Sequence, residues 1–131
     1  MAFGTATVVT TVGKALIASR MYDSSSALEP KYIAMGTGAT GADRTAVVAD
    51  TGLTTQVENR TTGTGSSVTT TATGDTHQVV GTVTATAGRS VDEAGVFDAS
   101  SSGTMYISAT FGVITLGTND SIAFTWKVKF A

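Results

Sequence analysis

The chain has 131 residues, enough for one domain around a single core and too few for two. Charged residues are only 14%, the formal net charge is −2 and there is no cysteine. Clustered Lys and Arg for nucleic acid are therefore missing, and disulfides, thiol catalysis and Cys-based metal sites are excluded. Roughly a fifth of the residues are Thr, with 15 Gly and a single Pro. Thr favours pleated, half-buried surfaces and solvates a sheet face without charge, so the composition suits a packed particle surface or an oligomer better than a cytosolic enzyme.

Residues Met1 to Thr11 have no basic n-region and no sustained apolar run, and no window approaches the roughly 20 apolar residues of a membrane span. A product made in the cytoplasm and used in soluble form is expected. Thr5 to Val12 is β-branched and reads as a first strand or as an extended arm within residues 1–11. Val12 to Met21 places Val12, Leu16 and Arg20 at helical spacing, which predicts a short helix. Ser24, Ser25 and Ser26 read as a polar loop. Pro30 then marks the start of a strand over Lys31 to Met35, with Ile33 and Met35 on one face and Tyr32 and Ala34 on the other.

The stretch from Gly36 to Thr51 reads as a long glycine-punctuated loop. Its G-T-G-A-T-G is not the G-x-G-x-x-G that opens a helix in a βαβ unit, and no P-loop Lys follows. Leu53 to Arg60, Ser66 to Thr73 and Gln78 to Thr86 read as strands, separated by turn chemistry at Gly63 and Gly65 and at Gly74 and Asp75. Ser90 to Phe97, Thr104 to Phe111 and Val113 to Leu116 follow. Hairpin loops are expected at Ser100 to Gly103 and at Gly117 to Asp120.

The last segment, Ser121 to Ala131, alternates almost without error: Ile122, Phe124, Trp126, Val128 and Phe130 share one face, and Ser121, Ala123, Thr125, Lys127 and Lys129 the other. This strand is expected inside the fold. Short strands joined by Gly, Asp and Asn turns predict one all-β domain over residues 1–131, an antiparallel β-sandwich for which a jelly roll is one arrangement, with one N-terminal helix.

Candidate chemistry is thin. His77 would need an orienting carboxylate to act as a base, and Asp75 is the neighbour that could supply it; a surface histidine in a turn is the plainer reading. Asp92, Glu93, Asp98 and Asp120 are the acidic residues that suggest calcium, but the D-x-D-x-D-G loop is absent. Trp126 could stack on a sugar, yet its place on the apolar face makes it a core residue; among Tyr22, Tyr32 and Tyr106 a sugar platform would have to be found. Lys127 and Lys129 guard an edge or pair with a partner subunit. No catalytic, cofactor or metal residue is assigned, and no enzyme activity, nucleic-acid partner or membrane partner is expected.

The order of short motifs says more than any one residue. K-Y-I-A-M-G-T-G at Lys31 to Gly38 precedes A-D-T-G-L-T-T-Q-V at Ala49 to Val57 and T-H-Q-V-V-G-T-V-T at Thr76 to Thr84. E-A-G-V-F-D-A at Glu93 to Ala99 and D-S-I-A-F-T-W-K-V-K-F at Asp120 to Phe130 complete the series. This layout resembles small tailed-bacteriophage virion proteins, above all capsid decoration or cement proteins, and is also similar to the N-terminal modules of phage tail and fibre proteins. The resemblance implies a homotrimer that binds the major capsid protein lattice on the virion surface. Tail, baseplate or fibre-adaptor components are the alternative, with a carbohydrate-binding sandwich behind them. The sequence ends at Ala131 after its last strand without a fibre shaft, which sets the expectation of a stand-alone subunit. In physical terms Gly36 and Gly38 allow a sharp exit from a strand, and Gly95 allows a bulge or close backbone approach. Phe97 belongs to the core and Asp98 opens a turn.

Overall fold

The computed structural model describes residues 6–22 and 29–130, the side chain of Tyr22 excepted. Among these residues are eight strands and one helix: β1 (Ala6–Val9), α1 (Thr11–Tyr22), β2 (Tyr32–Thr37), β3 (Thr55–Thr62), β4 (Thr64–Val68), β5 (Thr76–Thr84), β6 (Arg89–Phe97), β7 (Met105–Leu116) and β8 (Ser121–Lys129). They form a five-stranded antiparallel sheet in the order β1-β7-β6-β2-β3 and a three-stranded one in the order β4-β5-β8. The two sheets pack together as the all-β sandwich expected from the alternating segments. Ala6–Val9 pairs with β7 of the same chain. The polar loop expected at Ser24 to Ser26 lies outside the described residues.

The centre of the larger sheet is buried on both faces. In β2, Ile33 and Met35 enter one apolar cluster with Val79, Val83 and Tyr106, while Ala34 joins Phe97 and Met105 in a second. Burying each Val, Ile, Met or Phe of these clusters contributes roughly 1.5 to 3 kcal/mol. Gly95 permits the close packing expected there, since an added Cβ would lie 3.0 Å from the Ile107 carbonyl oxygen.

Helix α1 is set on this sheet by its N-cap. Thr10 is fully buried; its hydroxyl donates to the Met105 carbonyl at 2.5 Å and accepts from the Gly13 N–H at 2.9 Å, which satisfies one of the unpaired donors of the first turn. Leu16 and Ile17 turn toward the core, and Arg20 lies in the last turn, where a cation favours the helix dipole.

Several expected boundaries are corrected. Thr104 to Phe111 and Val113 to Leu116 are one continuous strand, β7, because Gly112 does not interrupt its extended backbone. The strand expected over Ser66 to Thr73 stops at Val68, where Asp75 gathers the N–H groups of Thr70, Thr71 and Ala72 into a turn. Gly117 to Asp120 is not a hairpin: β7 and β8 belong to different sheets, and the turn bonds instead to Ala85 at the end of β5. The terminal strand is not inside the fold either. Among the described residues β8 pairs only with β5 and forms an edge of the smaller sheet.

Gly63 and Gly65 are likewise not a turn. Gly65 pairs with Val79 inside β4, and Gly63 is the corner through which the chain leaves the larger sheet for the smaller one. A Cβ there would lie 2.8 Å from Val79 Cγ1 and 2.9 Å from the Lys31 carbonyl oxygen. Gly63→Ala is therefore expected to destabilise the fold by about 1 to 3 kcal/mol through overpacking, read as a lower urea midpoint at unchanged slope. An unmoved midpoint would mean that the corner relaxes freely.

A second irregular point lies in β3, where the pairing with β2 slips between Ile33 and Met35 and Glu58 takes a left-handed φ of 63°. Its carboxylate accepts from Arg89 Nε at 2.8 Å, from the Thr86 N–H at 2.9 Å and from the Thr86 hydroxyl at 2.7 Å. The Arg89 bond, helped by Thr86, lowers its pKa from 4.5 to about 2. Because the unfolded chain takes up this proton first, the stability Glu58 supplies is complete above about 4.5 and is lost as the pH falls toward about 2. Glu58→Gln should flatten that part of an acid-unfolding curve followed by circular dichroism; an unaltered curve would remove Glu58 from the account.

Candidate functional site

Between β2 and β3 the chain makes a long excursion from Gly38 to Thr54 with no strand or helix of its own. Loops of this length are uncommon unless they have a task. Gly38 starts it in the left-handed region, φ 93°, which an L side chain adopts only with strain. Two successive residues of β6 then fasten its ends. Asp92 accepts from the Ala39 N–H at 3.1 Å and the Thr40 N–H at 2.9 Å. Glu93, completely buried, accepts from the Thr54 N–H at 3.0 Å and the Thr55 N–H at 3.3 Å.

Arg44 closes the network from inside the loop. Its guanidinium lies 3.3 Å from Glu93 and 2.6 Å from Asp50, and Asp50 also accepts from the Ser108 hydroxyl at 2.7 Å and the Val47 N–H at 3.0 Å. A buried carboxylate is costly without partners, and here each is supplied with charged or backbone donors. The result is an ordered loop that presents Val47 and Val48 to solvent, 51% and 49% exposed. The Val48 carbonyl accepts from the Thr11 N–H at 2.7 Å. That bond places the loop tip at the start of α1, where Val12 is also exposed.

The acidic residues singled out from the sequence are thus dispersed. Asp92 and Glu93 hold the loop, Asp98 accepts from the Thr104 N–H at 2.7 Å in the β6–β7 turn, and Asp120 accepts from the Gly117 N–H at 2.7 Å. Among the described residues no three His, Asp or Glu side chains gather to hold a metal ion.

His77 has a different neighbour from the one considered for it. Asp75 spends its oxygens on three backbone N–H groups and the Thr76 hydroxyl, and these bonds hold its pKa well below the usual carboxylate range. His77 Nδ1 instead lies 3.3 Å from the Tyr106 hydroxyl. Burial lowers the His77 pKa, against the nearby Glu29 charge and with that of Arg20, and burial pushes Tyr106 up to about 12. Both line a cleft of about 520 Å³ with Arg20, Glu29, Met21 and Phe130. Burial thus disfavours the charged form of both rings, and the two share a hydrogen bond.

The aromatic candidates are also placed. Trp126 is 7% exposed and stacks on Phe124, ring centroids 5.7 Å apart and planes at 16°. Tyr106 is buried, Tyr32 packs half-buried against Phe97 and its neighbours, and the side chain of Tyr22 lies outside the described residues. Among the described side chains the exposed aromatic is Phe130 at 53%.

Val47 and Val48 escaped sequence reasoning because a short apolar pair in a loop has no periodicity. The signal that could have found them is the placement of A-V-V inside a long uncharged-tipped excursion. Glu93→Gln keeps the side-chain size but removes the charge, and is expected to speed amide hydrogen exchange at Thr54 and Thr55 while β5 stays protected. Equal exchange in both proteins would show that the other contacts alone hold the loop.

Comparison with family models, with curated proteins and with solved structures finds no match for this chain.

Proposed function

We propose that this protein is a structural component of a bacteriophage virion that binds the outer surface of the assembled head and stabilises it. The observation that carries the reading is the clamped loop: buried Glu93 and Asp92 hold Gly38 to Thr54 in place, and the loop exposes Val47 and Val48 beside Val12. An ordered apolar tip loses little conformational entropy on docking, as a subunit that adds to an existing shell requires. The resemblance in motif order supports the same reading. Its E-A-G-V-F-D string contains the loop anchor Glu93, the close-packed Gly95, the core residue Phe97 and the turn residue Asp98.

The mechanism is mass action. A subunit that binds the assembled lattice and not its free components shifts the equilibrium toward the lattice by its binding free energy. Several linked copies multiply weak contacts through effective concentration. Glu93, Asp92 and Arg44 position the contact surface and carry out no bond-making chemistry in this role.

Particles lacking the protein are expected to form heads of normal size but to release packaged DNA at lower temperature, and more readily at low salt, where the DNA charges are less screened. Purified protein should restore resistance, and a Val47→Asp/Val48→Asp variant with a normal circular dichroism spectrum should not. Depleted particles with heads of undiminished stability that lack tails or fail to attach to cells would replace this reading with a tail or baseplate role.

A further inference from the structure

The sandwich is unequal, five strands against three, and one side of it is unfinished. At the Gly63 corner the chain itself joins the two sheets. On the opposite side β1 ends the larger sheet and β8 ends the smaller one, and a groove of about 540 Å³ runs between them. Val9, Ile107, Phe111, Phe124, Trp126 and Val128 line it. Trp126 Nε1 is buried without a protein acceptor among the described residues, a costly state for a donor in an apolar wall.

The backbone of β8 determines what fits this edge. The Phe130 N–H donates to the Asp75 carbonyl at 2.9 Å. Peptide groups alternate sides along an antiparallel strand, so the even-numbered positions of β8 bond to β5 and the odd-numbered ones turn outward. Ala123, Thr125 and Lys127 thus offer N–H and C=O groups to a further strand, and among the described residues none pairs there. A strand satisfies such a row of donors and acceptors; a helix, its own backbone already bonded, does not.

The distribution of side chains selects the occupant. On the outward face of β8, Ser121, Ala123 and Thr125 are small and uncharged, while both lysines, Lys127 and Lys129, sit at one end. The geometry points to a second copy of this chain, with β8 paired antiparallel to β8 about a two-fold axis at Thr125. In that register all nine residues are opposed. Lys127 faces Ala123 of the partner subunit and Lys129 faces Ser121 of the partner subunit, so no lysine meets a lysine. A parallel arrangement in register would set like charges opposite each other, which is destabilising.

The odd-numbered residues that turn outward are the ones this register pairs by hydrogen bonds. On the inner face Trp126 lies opposite Phe124 of the partner subunit, so the aromatic walls of two grooves meet and close each other from water. The smaller sheets join into one of six strands, β4-β5-β8 continuing into β8-β5-β4. This contact is isologous and closes at two copies, unlike the three-fold assembly that the sequence resemblance implies, so the two are separated by mass alone.

Sedimentation of the full chain is expected to give a species of twice the chain mass that dissociates on dilution. Ala123→Lys sets a lysine against Lys127 of the partner subunit and should weaken the dimer at least tenfold. Adding Lys127→Glu to that variant should restore it, because each introduced lysine then meets a glutamate; this rescue reads the register, which a merely misfolded variant would not reproduce. Thr125→Pro removes an outward N–H and no β5 bond, and should abolish the dimer while circular dichroism stays unchanged. A wild-type monomer at every concentration overturns the inference. So does a trimer, or any assembly that Ala123→Lys and Thr125→Pro leave intact.

Discussion

The structure hinges on a carboxylate where a sheet would ordinarily hold an apolar side chain. Glu93 stands in β6 with no solvent exposure, and its oxygens meet two backbone N–H groups and the Arg44 guanidinium. A buried charge is tolerated only with such partners. The loop that supplies them must therefore be in place whenever the sheet is. One side chain thereby couples the order of Gly38 to Thr54 to the integrity of the core, and the exposed valines at the loop tip inherit that order.

The same economy appears in the connections. Thr10 caps α1 while bonding to β7, Glu58 ties β3 to the β5–β6 loop, and Arg60 reaches the carbonyls of Ala99 and Ser102 while lying 3.6 Å over the Phe97 ring. Glu58 and Arg60, like Asp92 and Glu93, thus hold irregular backbone against the larger sheet. The surface left over is rich in Thr and Ser, and it offers little electrostatic steering of its own. The association proposed above then rests on shape, apolar contact and strand pairing.

The two candidate association surfaces differ in kind. The clamped loop is an exposed apolar tip that suits docking on another surface, whereas the β1–β8 side is a groove beside backbone that pairs with no other strand among the described residues and suits a strand. They lie on separate elements, so one chain has room for both kinds of contact. The cleft around His77 and Tyr106 is a third feature, in which burial lowers the imidazole pKa and raises that of the phenol.

Local sequence determined most of the elements, because strand periodicity is written residue by residue. The alternation of Ile122, Phe124, Trp126 and Val128, the short helix after Thr10 and the strand at Ile33 to Met35 were all legible, and so was the sandwich they imply. What the sequence did not contain was which strands are neighbours. A turn at Gly117 to Asp120 looks the same whether it joins paired strands or crosses between sheets, and Gly63 reads as a turn until the Lys31 carbonyl is found beside it. The regular terminal strand seemed interior because its pattern reports only one buried face, and edge or centre is decided by the partners on either side. The acidic string at Asp92 and Glu93 suggests calcium when read alone; only the tertiary structure, by bringing the N–H groups of Ala39, Thr40, Thr54 and Thr55 to those oxygens, makes them the buried anchors of a loop that lies 38 to 53 residues earlier in the chain.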